Sequence, residues 1–259
     1  IEMQIFKVGT FKSAVEPFML DKMSDANREQ VTAYINDIWS TITSEISDSR
    51  KISVDKINQL TDSLQTFKLA NASVNDGLVD TLMYETEVKE YLKDLLKVEK
   101  AKDVRMASIK DMTSVSFVKE SNSKDVIAIL YAEGSINNGS GKDGITDKRY
   151  VKEIEKLKDN DKVKAVVFRV NSPGGSAYAS EQIWKAITDL KAKKPVVVSM
   201  GDYAASGGYY IACNASKIIA QPNTLTGSIG IFGMFPNFEG LTKKVGLSFD
   251  NVKTNKFAD

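Results

Sequence analysis

Gly201-Asp202-Tyr203-Ala204-Ala205-Ser206-Gly207-Gly208-Tyr209-Tyr210 follows directly on Pro195-Val196-Val197-Val198-Ser199-Met200. The leading run has the β-branched content of a buried strand. Downstream, Ile211-Ala212-Cys213-Asn214-Ala215 is small and apolar enough for a helix packed closely on a sheet. A serine between small residues, where a strand gives way to a helix, is the setting of an exposed nucleophile. Small neighbours leave room for a substrate backbone, and the helix start offers free N–H groups to a developing oxyanion. The same residues also suit a turn that is tight for steric reasons alone, so the rest of the chain has to decide.

Composition narrows the chemistry. The 259 residues are enough for a good core in one or two domains, and a net charge of +1 gives no bulk field favouring nucleic acid or an anionic membrane. No apolar run approaches the roughly 20 residues that span a bilayer, and no signal-peptide pattern opens the chain. Ile1-Glu2-Met3 lacks an initiator methionine and enters strand-like sequence at once, which leads us to expect an excised fragment. The single cysteine, Cys213, excludes an internal disulfide and any CxxC site, and is expected to be a small buried apolar residue. Histidine is absent altogether. That removes Ser-His-Asp and Cys-His catalysis, HExxH zinc chemistry and most transition-metal sites. A base for Ser206 must then be Lys, Asp, Glu or an amine terminus, and the search narrows to lysine.

Outward from the serine, strand and helix patterns alternate. Val126 to Tyr131 reads as a strand, Gly134 to Gly144 as a mobile loop, and Val151, Ile154 and Leu157 mark a helix. Ala165 to Val170 reads as a strand, Asn171 to Ser176 as a tight turn, and Ile183, Trp184, Ile187 and Leu190 as the next helix. A short strand at Lys217-Ile218-Ile219-Ala220 closes the series. This order predicts an α/β protein with a mostly parallel sheet covered by helices. Upstream, Met3 to Val8 reads as a strand. Val31, Tyr34, Ile35, Ile38, Trp39, Ile42 and Ile46 form one helical stripe, followed by Ile57, Leu60 and Leu64, and by Val88, Tyr91, Leu92, Leu95 and Leu96. These stripes read as core, and the polar stretch Lys100 to Lys124 as a connector. Val8 to Ala14 and Val252 to Ala258 share the pattern V-x-T-x-K-x-A at the two ends of the chain, which suggests a repeat. The expected division is the tail of a first α/β repeat at 1–23, mostly missing, a helical connecting segment at 24–124, and a second repeat carrying the nucleophile at 125–259.

Two glycine turns end successive strands of the α/β part: Pro173-Gly174-Gly175 and Ser206-Gly207-Gly208. Ligands of open α/β sheets bind beyond such strand ends. Two backbone amides aimed at one carbonyl oxygen are what acyl transfer requires. A lysine base must lose its proton first, so it belongs in a partly apolar pocket with a hydroxyl to orient it. Lys12, among Phe11, Val15 and Phe18, has suitable neighbours; Lys256, beside Phe257, is its rival. The hydroxyl is sought in Thr224-Leu225-Thr226-Gly227-Ser228-Ile229-Gly230.

These stretches resemble the signal peptide peptidase A family of membrane-anchored serine–lysine peptidases. The resemblance rests on Val8 to Pro17, Arg169 to Ser176, Gly201 to Tyr210 and Leu225 to Gly233, in that order, and covers essentially the whole chain. It is closest to the long form with two tandem repeats. It implies a Clp protease/crotonase-like fold with a helical connecting segment, Ser206 as nucleophile, Lys12 as general base and Ser228 holding the lysine amine. It implies an oxyanion hole from the backbone N–H groups of Gly175 and Gly207, with no metal and no cofactor. In the family the lysine comes from a neighbouring repeat, which favours Lys12 over Lys256. The resemblance further implies a homo-oligomer, a tetrameric ring around an enclosed cavity, and peptide substrates of the kind left by cleaved signal peptides. It implies a cell (inner) membrane location through a segment absent from this chain, with the catalytic domain facing the periplasm or exterior. Two other readings compete. A crotonase-like acyl-CoA enzyme would need a carboxylate near the turns, for which Asp202 and Glu181 are the candidates. A catalytically inactive oligomeric scaffold would have no use for Ser206, Lys12 and Ser228 together.

Overall fold

The computed structural model describes residues 1–113, 115 and 123–258, and the chain divides into two compact units. Residues Ile1–Ile38 with Lys124–Asp259 form the first; Trp39–Ser123 form the second.

In chain order the elements are β1 (Glu2–Lys7), α1 (Asp25–Arg50), α2 (Val54–Asp62), α3 (Ala70–Asn75), α4 (Glu85–Leu96) and α5 (Ile109–Met112). They continue with β2 (Val126–Glu133), β3 (Ile136–Asn137), β4 (Ile145–Thr146), α6 (Asp147–Asp159), β5 (Val163–Ser172) and α7 (Ala177–Lys191). The last are β6 (Val196–Ala205), α8 (Gly207–Ala212), β7 (Lys217–Ile219), β8 (Leu225–Gly227), β9 (Phe232–Asn237) and α9 (Glu239–Lys244).

The first unit is built on a parallel sheet in the order β2-β5-β6-β7, with β8 pairing the far end of β6. Strand β6 is long enough for two partners: Val197–Ser199 pair with Lys217–Ile219, and Tyr203–Ala205 with Leu225–Gly227. Alternate residues of β5 and β6 point one way. Val166, Phe168, Val170, Val196, Val198 and Met200 are buried there against Tyr150 and Ile154 of α6, Ile183, Ile187 and Leu190 of α7, and Ile211 of α8. Each such side chain contributes about 1.5–3 kcal/mol of hydrophobic stabilisation when fully buried. The opposite face stays open at β2, where Ile127, Ile129 and Tyr131 are exposed. Helices of this chain thus cover that part of the sheet on one face, where the sequence predicts a covered sheet. Separately, β1 and β9 form an antiparallel ribbon running from Glu2↔Asn237 to Lys7↔Phe232. This ribbon joins the two ends of the chain and delivers the segment after Lys7 beside residues 228–231, where Val8 N–H donates to Ile231 C=O at 3.2 Å.

The second unit is helical. Ser53 caps α2 by accepting from Lys56 N–H at 3.2 Å, and Ile57 and Leu60 are buried. Arg50 forks onto both carboxylate oxygens of Asp80 at 3.1 Å and donates to Gly77 C=O at 2.9 Å. Elsewhere the apolar stripes are not the core their spacing predicts. Ile35 is 52% exposed and Ile42 43%, and Tyr34, Trp39, Val88, Tyr91, Leu95 and Leu96 are also exposed; Thr43 is the buried residue of α1. A helix repeats its stripe whether or not something covers it, and here none of the described residues does. Part of the polar connector Lys100 to Lys124 lies outside the described residues.

Within the loop at 134–144, Ile136 and Asn137 form β3, paired in parallel with β4, and Ile136 bridges to Gly175. One further expectation is corrected. Cys213 is exposed rather than buried, because it follows the last turn of α8 where the helix leaves the sheet.

Candidate active site

Ser206 sits between the last residue of β6 and the first of α8, with φ 53° and ψ −119°. A non-glycine residue held there stores about 1–3 kcal/mol, which the surroundings must offset. The restraints are visible. Ser206 N–H donates to Gly227 C=O at 2.8 Å, and Tyr210 N–H donates to Ser206 C=O at 2.9 Å. Thr226 Oγ1 donates to Ala204 C=O at 2.7 Å and Thr224 Oγ1 to Gly201 C=O at 2.9 Å, tying β8 to β6. The hydroxyls of Thr224 and Thr226 are therefore spent on the backbone.

Lys12 reaches this turn from the opposite end of the sequence. Its Nζ donates to Ser206 Oγ at 3.3 Å, to Ser228 Oγ at 3.1 Å and to Ser228 C=O at 2.8 Å. The residue is only 7% exposed, and no ion pair among the described residues includes it. Burial alone pushes its pKa down from the ordinary lysine value, since an ammonium loses hydration there and gains no counter-ion. A neutral amine fits these contacts well. Once the proton is lost, its two hydrogens serve Ser228, and its lone pair replaces the donor that faced Ser206 Oγ, whose hydroxyl then donates to the amine. Lys256 has a different setting. It is exposed, with Nζ 5.3 Å from the centroid of the Phe257 ring.

The two glycine turns meet. A Cβ built on Gly207 would lie 3.2 Å from Gly175 N and 2.5 Å from the Ser180 Oγ, so only glycine fits there. At Gly175, φ is 154°, and a Cβ would lie 2.1 Å from Ile136 C=O. Ile136 N–H donates to Gly174 C=O at 2.9 Å, and Ser176 N–H donates to Ile136 C=O at 2.8 Å. Those two bonds occupy the peptide groups flanking Gly175 and leave its own N–H directed away from Ile136. Gly207, as first residue of α8, has an N–H with no intrahelical acceptor.

Beside Ser206 lies an apolar cleft of about 370 Å³ lined by Gly175, Ala177, Gly207, Tyr209, Tyr210, Cys213, Ile229 and Ile231. Sequence reading singles out Gly175 and Gly207 from this set. Ile229 and Ile231 lie in the Leu225 to Gly233 stretch, but nothing in the sequence assigns them to a cleft; they and Cys213 enter it through the placement of β8, β9 and α8. The Tyr210 hydroxyl donates to Glu181, a contact that occupies one of the two carboxylates considered for acyl-CoA chemistry. Asp202, the other, is exposed. No group of three or more metal-ligating side chains occurs among the described residues.

Fold and geometry define a class: an α/β protein whose parallel sheet presents a strained serine to a desolvated lysine beyond its strand ends. The model of Peptidase family S49 matches residues 1–99 and 188–259, and the chain belongs to that family. It is 37% identical over 265 residues to Protease 4 of Haemophilus influenzae, covering 98% of this chain and 43% of that protein. It is 33% identical over 270 residues to the chloroplastic serine protease SPPA of Arabidopsis thaliana, covering 100% of this chain and 39% of that protein. The chain thus spans about two fifths of the length of these relatives. Among solved structures, a membrane-bound stomatin-specific protease in complex with a substrate peptide is 24% identical, over 41% of this chain and 46% of that one. Its TM-score of 0.33 is too low to bear on the site.

Proposed function

We propose that this chain carries the catalytic centre of a serine endopeptidase that works through a Ser206–Lys12 dyad and an acyl-enzyme. The observation that supports it most is the threefold environment of Lys12 Nζ, with Ser206 Oγ on one side and the two oxygens of Ser228 on the others. Neutral Lys12 takes the hydroxyl proton as Ser206 Oγ attacks the scissile carbonyl carbon. The oxyanion is stabilised by the N–H groups of Gly175 and Gly207. Collapse breaks the C–N bond, and the Lys12 ammonium returns its proton to the leaving amine. Water then gives a proton to Lys12, attacks the ester carbonyl and frees the acid, and Ser206 Oγ recovers its proton.

The apolar cleft suits hydrophobic peptides, and cleaved signal peptides are the substrate class we favour. Membership of Peptidase family S49 supports the peptidase reading over an acyl-CoA enzyme, as does the engagement of Glu181 by Tyr210. The exposed apolar faces of α1 and α4 fit a chain that assembles with copies of itself, and a tetrameric ring is the form we propose. No helix among the described residues is long and apolar enough to cross a membrane. A place at the cell membrane, with the catalytic domain facing the periplasm or exterior, belongs to the reading we propose and is supported by family membership alone.

The test is capture of the acyl-enzyme. The whole protein, treated with a peptidyl electrophile and mapped by mass spectrometry, is expected to carry the adduct on Ser206; an active Ser206→Ala variant would overturn the reading. The pH dependence follows from Lys12. The base works only when neutral, so kcat/KM rises with pH as Lys12 loses its proton. Because burial lowers that pKa, the midpoint of the rise lies below 10.5, the ordinary lysine value. A rate that is flat from pH 6 to pH 10 would exclude a titrating lysine base.

A further inference from the structure

Proton transfer between Lys12 and Ser206 depends on where the Lys12 loop is held, and the loop is fastened by groups that never touch Ser206. Gln30, in the second turn of α1, donates through Nε2 to Phe11 C=O at 3.1 Å and to Ser13 Oγ at 2.7 Å. Those acceptors belong to the residues immediately before and after Lys12. Four residues beyond the lysine, Glu16 is only 3% exposed. Its carboxylate accepts from Ser24 Oγ at 2.6 Å, from Ser24 N–H at 3.2 Å and from Asn27 Nδ2 at 3.1 Å. Ser24 itself caps α1, accepting from Asn27 N–H at 3.1 Å. The carboxylate therefore sits at the positive end of a 26-residue helix, a favourable place for a buried anion. These hydrogen bonds hold the Glu16 pKa below the usual carboxylate range, with Ser24 foremost and the charge of Lys7 assisting. Burial works against them without winning.

We propose that Glu16 and Gln30 are positioning residues, anchoring the loop to the first turns of α1 so that Lys12 Nζ is set within reach of Ser206 and shielded from water. The inference rests on the Ser206–Lys12 reading above. Two anchors bracket the lysine: Gln30 holds the backbone carbonyl of Phe11 before it and the side-chain hydroxyl of Ser13 after it, and Glu16 fixes the turn that follows. Slack in either lets Nζ drift from Ser206, and a displacement of about 1 Å can cost roughly 10²-fold in rate. Slack also admits water to the ammonium, which moves the Lys12 pKa back up. No carboxylate pairs with Lys12 among the described residues, so hydration is the lever.

The experiment measures kcat, KM and the pH midpoint of kcat in the whole protein, for Glu16→Ala, Glu16→Gln, Gln30→Ala, Gln30→Glu and Lys12→Ala. Glu16→Ala and Gln30→Ala are expected to lower kcat about 10- to 100-fold with KM within about threefold, and to shift the midpoint to higher pH. Glu16→Gln is expected to restore most of the rate, because an amide can still accept from Ser24 N–H and donate to the Ser24 hydroxyl. Gln30→Glu keeps size and helix but turns the donor into an acceptor facing Phe11 C=O. It is expected to fail as Gln30→Ala does, and it carries the test if Glu16→Ala does not fold. Wild-type kcat and midpoint in folded Glu16→Ala and Gln30→Glu, with Lys12→Ala inactive, would overturn this inference alone. An active Lys12→Ala would instead overturn the dyad and this inference with it.

Discussion

Lys12→Ala is expected to reduce peptide hydrolysis by the whole protein to the level of Ser206→Ala, a loss of about 10⁴–10⁶ in kcat, while Lys256→Ala stays within about twofold. The difference comes from placement, since both lysines follow the same V-x-T-x-K-x-A pattern. Lys12 Nζ is 3.3 Å from Ser206 Oγ in a buried setting, whereas Lys256 is exposed beside Phe257. Nucleophile and base act as a unit, so the Lys12→Ala/Ser206→Ala double variant is expected to be no worse than either single one. Lys12→Arg separates charge from basicity. A guanidinium keeps the positive charge and much of the length but does not give up a proton at any working pH. It is expected to be as inactive as Lys12→Ala. Activity within tenfold of wild type in Lys12→Arg would mean that the lysine acts by charge alone, and a dead Lys256→Ala would move the base to the other end of the chain.

The difference between the two lysines also marks where sequence reading stops. The strand runs at Val166 to Val170 and Val196 to Met200 were legible because apolar β-branched residues between turn formers have few other uses. The serine elbow was legible because small residues crowd it, and the absence of histidine turned attention to lysine. Which lysine comes near depends on β1 pairing with β9, Glu2 opposite Asn237 and Lys7 opposite Phe232. Periodicity within a segment says nothing about partners more than 200 residues apart. The same limit explains Gly134 to Gly144. Glycine and asparagine content marks a loop and gives no sign of the strand within it, where Ile136 pairs with Ile145 nearby and with distant Gly175. In α1 the error runs the other way. The helix and its stripe were legible, while burial depends on what lies against the stripe, and Ile35 and Ile42 remain exposed. Gln30 carried no signal at all, because a glutamine on a helix is ordinary until its amide is seen across the Lys12 loop.

The bridge between Ile136 of that glycine-rich loop and Gly175 has a direct consequence for the oxyanion site. Gly175→Ala is expected to lower kcat by about 10²–10³ with little change in KM, the cost of losing one oxyanion donor. A methyl group at Gly175 would lie 2.1 Å from Ile136 C=O and 2.8 Å from Ile136 N, both backbone atoms that cannot swing aside. Relief has two routes. Either β3 retreats and the 2.8 Å bond from Ser176 N–H to Ile136 C=O breaks, or the peptide at 175 rotates from its φ of 154° toward values that alanine prefers. The first route loosens the N-terminus of α7, which Ser176 caps by accepting from Ala179 N–H at 3.2 Å. The second turns the Gly175 amide away from the carbonyl it is proposed to bind. Both routes injure the transition state more than the ground state, because the developing oxyanion needs the donor more than a neutral carbonyl does. Gly141→Ala is the control: it lies in the loop that carries Ile136, has open space where its methyl group would go, and is expected to leave kcat unchanged. Thermal melts of both variants divide stability from chemistry. A Gly175→Ala protein that melts near wild type and keeps its kcat within threefold would remove that amide from the oxyanion hole, leaving Gly207 to act without it.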